Sequence, residues 1–151
     1  MFTLKDTDKG YRERFKALLG LRAPAHIDVG ILESAGTEED GTSVLDVGFW
    51  QEFGTATIPE RSFIRAWFDE AEPQLRQDFA ALMRTVAAGK RTRAEVLELM
   101  GQRMVGQVQA RMSAGIPPPN KPATVRRKGS STPLIDTGVL RSSVTYRTGG
   151  G

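Results

Sequence analysis

The chain has 151 residues, 39% of them apolar and 26% charged, with a formal net charge of +3 and no cysteine. That length and apolar share support one modest core and exclude two, while the missing cysteine excludes a disulfide framework, a thiol nucleophile and a Cys-based zinc site and suits a reducing cytosol. Charges arrive at Lys5 and Asp6 with no apolar leader-type run, and no stretch approaches the ~20 apolar residues of a membrane span, so a soluble, cytoplasmic protein is expected.

Residues 4–21 are rich in Lys and Arg, with Tyr11, Phe15, Leu18, Leu19 and Leu21 at near-helical spacing, which reads as a short basic helix or arm. His26 to Ile31 alternates polar and apolar residues, the pattern of a half-buried strand. The acidic, glycine-bearing stretch from Ser34 to Gly41 reads as a hairpin-type turn and Val44 to Val47 as the partner strand. Gly48 to Glu52 is open between continued strand and one helical turn. After Pro59 the period becomes 3.6: Phe63, Trp67, Ala71, Leu75, Phe79, Met83 and Val86 share one face, predicting a helix from about Ser62 to Ala88 with Pro73 as a place for a kink. Gly89-Lys-Arg ends it, and Thr92 with Glu95 forms a capping-box pattern for a second helix. That helix carries Val96, Met100, Met104, Val108 and Met112 in one row up to Gly115, and we read the methionines as core filling rather than a partner groove.

From Ile116 onward, Pro117-Pro-Pro-Asn-Lys-Pro122 excludes helix and Arg126 to Thr132 lacks apolar residues, so 116–138 is expected to be a long exposed loop. Val139 to Arg147 alternates as a closing strand with Val144 and Tyr146 on one face, and 148–151 reads as a flexible end. The expected fold is a single α+β domain over 1–151, a small antiparallel sheet packed against two long helices joined as a hairpin.

Two stretches stand out as loop-shaping rather than catalytic. In Glu52-Phe53-Gly54-Thr55-Ala-Thr-Ile-Pro59-Glu-Arg61-Ser-Phe63-Ile-Arg65, Gly54 can take positive φ and Pro59 fixes the chain before a helix. In Thr132-Pro133-Leu134-Ile135-Asp136-Thr137-Gly138-Val-Leu140, an apolar pair runs into an Asp-Thr-Gly turn. Charge is also segregated along the chain: residues 24–60 hold eight carboxylates and no Lys or Arg, whereas 116–148 hold six bases against Asp136. The resulting −8 and +5 stretches read as complementary faces for head-to-tail association, or as two solvated loops of opposite sign.

These two motifs, with Pro118-Pro119, Pro122, Thr124 and Lys128-Gly129 before the second and Ser143 and Tyr146 after it, resemble small neck and tail-completion proteins of tailed bacteriophages, the virion morphogenesis group. The resemblance covers roughly residues 26 to 147; Ser62 departs from it, standing where a second proline is usual, and some neck proteins place the Asp-Thr-Gly segment first. It implies a structural, non-enzymatic virion protein working as a ring, with six copies the suggested number. Its partners would be itself, the head-closure proteins and the tail tube, with genome DNA crossing the lumen and no membrane involved. The expected contact residues are Glu52, Phe53, Gly54, Thr55, Arg61, Phe63, Arg65 and Leu134, Ile135, Asp136, Thr137, Gly138, Leu140, with core packing the competing role for Phe53, Phe63 and Leu134. Arg126, Arg127 and Lys128 would meet DNA or an acidic surface.

Other chemistry is poorly supplied. His26 is the single histidine and no GxSxG elbow accompanies it, so neither a metal site nor a serine triad is expected. Glu33, Asp46 and Glu52 invite a magnesium-nuclease reading, but no lysine lies between positions 17 and 89. No phosphate-binding GxxxxGK[ST] loop is present. No cofactor is expected. The rival from another class is a cytoplasmic nucleic-acid-binding module using the basic C-terminal loop, although no aromatics interleave with Arg126 to Lys128 for base stacking.

Overall fold

The computed structural model describes residues 25–122, 125–126 and 138–149, so the expected basic arm and most of the loop after Lys121 lie outside the described residues. Where that loop is described, Pro122, Val125 and Arg126 are helical rather than extended, with the Val125 amide donating to the Lys121 carbonyl at 3.0 Å, because a proline is tolerated in the first turn of a helix. Strand β1 (His26–Ile31) leads through a short 3-10 turn at Glu33–Ala35 into helix α1 (Val44–Phe53). The helical hairpin α2 (Arg65–Ala87) and α3 (Arg93–Ala114) follows, then one turn of helix α4 (Val139–Ser142) and strand β2 (Val144–Gly149). The architecture is α+β, as expected.

The sheet has two strands, and its partner choice corrects the sequence reading. β1 pairs antiparallel not with Val44–Val47 but with β2, from His26 opposite Gly149 to Ile31 opposite Val144. Val44 to Val47 instead opens α1. Ser43 caps that helix by accepting from the Asp46 amide at 3.5 Å, and Val44, Gly48 and Glu52, spaced four apart, are its buried residues. The spacing matters more than β-branched propensity because Gly48 admits Ile31 of β1, whose Cδ1 would lie 2.6 Å from any Cβ there. The acidic turn is of hairpin type, closed by a bridge between Thr37 and Ser43. The closing strand also starts later than expected. Gly138 takes φ of 80°, and α4 then buries Leu140 before extended backbone begins at Val144.

The two long helices match their sequence pattern closely. α2 runs through Pro73 without a break, and the Thr92–Glu95 capping box opens α3: the Glu95 amide donates to Thr92 Oγ1 at 3.2 Å and the Thr92 amide to Glu95 Oε2 at 2.7 Å. Those bonds hold the Glu95 carboxyl below its ordinary range. The row Val96, Met100, Met104, Val108 and Met112 is buried, so the methionines fill the core between α2, α3 and the sheet. Gly101 lets Tyr146 of β2 lie directly on α3, its ring Cδ2 only 2.2 Å from where a Cβ would sit. The Tyr146 hydroxyl then donates to Glu98 Oε2 at 2.6 Å, and that carboxylate raises the phenol's pKa. Across the hairpin, Trp67 Nε1 donates to Gln107 Oε1 at 3.2 Å, and ion pairs join Arg111 to Glu70 at 2.7 Å and Arg103 to Asp78 at 2.8 Å.

Candidate functional site

Glu52 ends α1 with its carboxylate turned inward, and the residue is only 5% exposed. It caps a different helix. Oε2 accepts from the Phe63 and Ile64 amides at 2.8 and 2.9 Å, and Oε1 from the Arg65 amide at 3.0 Å, the Ser62 hydroxyl at 2.7 Å and Arg65 Nε at 3.1 Å. The first amides of a helix have no partner of their own and carry the positive end of its dipole, so a carboxylate there satisfies donors and charge together. Burial pushes the Glu52 carboxyl up, yet the bonds from Ile64, Arg65, Ser62 and Phe63 outweigh it, and the pKa lies below the ordinary 4.5.

Ser62 serves twice: its hydroxyl donates to Glu52 and accepts from the Ala66 amide at 3.1 Å. The loop between α1 and α2 is shaped by short bonds. Gly54 takes φ of 73° while its amide donates to the Trp50 carbonyl at 2.8 Å, and a Cβ on it would meet the Glu60 amide nitrogen at 2.9 Å. Thr55 Oγ1 accepts from the amides of Thr57 at 3.2 Å and Ile58 at 3.0 Å.

Arg61 is likewise buried, at 5% exposure, where desolvation lowers its pKa. Its guanidinium reaches across 57 residues of sequence to the polyproline run, Nε donating to the Pro118 carbonyl at 2.8 Å. The same group donates to Gln51 Oε1 at 3.1 Å and to the Pro119 carbonyl and Asn120 Oδ1 at 3.4 Å each. Arg61 therefore pins the loop that follows Ile116 onto the end of α1.

Arg65 closes the construction from outside. It donates to the Glu52 carbonyl at 2.9 Å and pairs with Glu60 at 2.7 Å, while its guanidinium carbon lies 4.5 Å above the centre of the Phe53 ring. The bond to Glu52 is the leading cause of its raised pKa. Phe53 itself packs against Phe49 with ring centres 4.7 Å apart and planes inclined by 40°.

The expected contact residues thus divide. Glu52, Arg61, Phe63 and Leu140 are buried and shape the chain internally, whereas Phe53, Thr55 and Arg65 face solvent. Phe53 is 49% exposed, so its core-packing role is not realised among the described residues. Leu134, Ile135, Asp136, Thr137, Arg127 and Lys128 lie outside the described residues; Gly138 sits at the start of α4, and Arg126 is exposed. The two charged stretches do not separate cleanly onto opposite faces, because the sheet register places Asp28 directly opposite Arg147.

What sequence reasoning missed is the outer face of α1. Leu45, Phe49 and Phe53, spaced four apart, and Trp50 beside them are 37, 60, 49 and 37% exposed. The spacing carried that signal, but only for a helix, and this segment had been expected to begin as a strand. Among the described residues no group of three His, Cys, Asp or Glu side chains is placed to hold a metal ion, and no helix is long and apolar enough to cross a membrane.

No family model, no curated protein and no solved structure matches this chain.

Proposed function

We propose that this chain is a non-enzymatic structural subunit of the tailed-phage neck, one copy of a ring that joins the head-closure complex to the tail or terminates the tail tube. The reading starts from the resemblance carried by the Glu52 to Arg65 and Thr132 to Leu140 motifs. One observation supports it above the others. The ionisable groups of the first motif are engaged as struts, with Glu52 capping α2, Arg61 holding residues 118–120 and Arg65 joining Glu52 and Glu60 to the Phe53 ring. Five donors around one carboxylate leave it poorly suited to bind a metal or shuttle a proton, and well suited to hold a loop in one shape. What that shape presents outward is aromatic surface, the material of protein contacts.

In this reading the partners are other copies of the chain, the head-closure proteins and the tail tube, and the protein resides in the virion with genome DNA passing through the ring. The test is electron microscopy of particles assembled without the protein. Separate heads and tails support joining, over-long tails support termination, and normal virions refute both.

A further inference from the structure

Among the described residues two apolar surfaces face solvent, and they sit at opposite ends of β1. At its first residues, His26 and Ile27 line a groove of about 260 Å³ together with Phe68, Leu75 and Phe79 of α2 and Met100 of α3. Phe68 on its rim is 44% exposed. At the last residue of the strand, Ile31 abuts Gly48 of α1, the helix whose outer side carries Phe49 and Phe53. Phe68 on the groove's rim stands three residues along α2 from Arg65, whose guanidinium lies over Phe53, so knob and groove are distinct surfaces that approach each other at the start of α2.

We propose that Phe49 and Phe53 of one copy seat in the groove of a second copy. The sizes agree: an apolar cavity of about 150 Å³ takes one benzene ring, so this groove has room for more than one ring but not several, and the knob offers two rings 4.7 Å apart. The areas agree as well. The exposed parts of Leu45, Phe49, Trp50 and Phe53 amount to roughly 400 Å², about half of the ~800 Å² each partner contributes to a stable interface, and the rest falls to the ground around them. Because the surfaces are unlike, each copy can use its knob on one neighbour and its groove on the other, which is the heterologous contact that closes rings. The inference rests on the ring-subunit reading and names its contact.

The test is sedimentation of the full chain across concentrations up to about 1 mM, with Phe49→Glu and Phe68→Glu, both at exposed positions and both checked for folding by circular dichroism. Each variant alone should associate at least about 30-fold more weakly than the parent chain. An equimolar mixture should recover association but stop at dimers, since one variant keeps its groove and the other its knob. In a chain without native cysteine, Leu45→Cys and Arg76→Cys molecules, whose substitutions flank the contact and leave Phe49, Phe53 and Phe68 in place, should also cross-link when mixed with a short bifunctional maleimide. A parent chain that stays monomeric throughout, a Phe49→Glu variant that associates normally, or a mixture that fails to complement would each overturn the proposal. Loss of stability on Phe68→Glu without loss of association would place other residues of the same chain in the groove and overturn it too. Particle morphology tests the neck reading separately, so a ring that forms through other surfaces leaves that reading standing while this one falls.

Discussion

Replacing Glu52 with Gln changes one oxygen to an amide nitrogen and almost nothing in volume, which isolates what the carboxylate does. In the parent chain Oε2 accepts from the Phe63 and Ile64 amides and Oε1 from Ser62, the Arg65 amide and Arg65 Nε. A glutamine keeps one acceptor oxygen, so whichever way it turns, its NH2 group faces amides that are themselves donors. The less costly orientation leaves the Arg65 amide without an acceptor, because the Ser62 hydroxyl can rotate to accept and Arg65 Nε can reach water; the other orphans the two amides of Phe63 and Ile64. An unsatisfied buried donor costs about 1–3 kcal/mol, and removing the charge at a helix N-terminus adds about 0.3–1 kcal/mol. Unfolding free energy should therefore fall by about 1.3–4 kcal/mol, a large part of the ~5–15 kcal/mol typical of a domain.

The assay is urea denaturation followed by the fluorescence of Trp50 and Trp67, which flank the motif. pH supplies a second signature. Because the folded-state pKa of Glu52 is lowered, its contribution is fully present above the ordinary carboxylate value and is lost as pH falls through the folded value. The gap between parent and Glu52→Gln should be constant near neutrality and close progressively below about pH 4.5. A variant within about 0.5 kcal/mol of the parent at pH 7, or a gap that widens on acidification, would refute the capping argument.

Arg61→Ala should release residues 118–120 from α1, read as faster tryptic cleavage after the exposed Arg126 with the helical circular dichroism retained; unchanged cleavage would show that the strut does not hold the loop. Gly101→Ala should destabilise by about 1–3 kcal/mol, since a methyl there meets the Tyr146 ring at 2.2 Å, and the same change should cost little when made in a Tyr146→Ser background, where the ring is gone. Thr92→Ala removes half of the capping box and should cost about 1 kcal/mol in thermal or urea unfolding.

Much of the fold was legible because helices and strands write their period into adjacent residues. The apolar spacing of Trp67 and Leu75, the buried row from Val96 to Met112, the capping box and the shared face of Val144 and Tyr146 are local signals, and each element they mark lies within a few residues of its expected place. Val44 to Val47 was not legible in that way, because four residues with two valines suit either period. The decision came from Ile31 and Leu140 meeting Gly48, a contact among three segments far apart in sequence.

The candidate site divides along the same line. That Gly54, Pro59 and the charged residues around them shape a loop is a property of backbone chemistry, and composition and order determine it. Which carboxylate caps which helix is settled only when the chain closes: Glu52 receives amides 11 to 13 residues away, and Arg61 reaches carbonyls 57 and 58 residues away. A sequence shows which groups can donate and accept, but partners this distant are chosen by the burial that brings them together, where leaving either one unpaired costs more than ordering both.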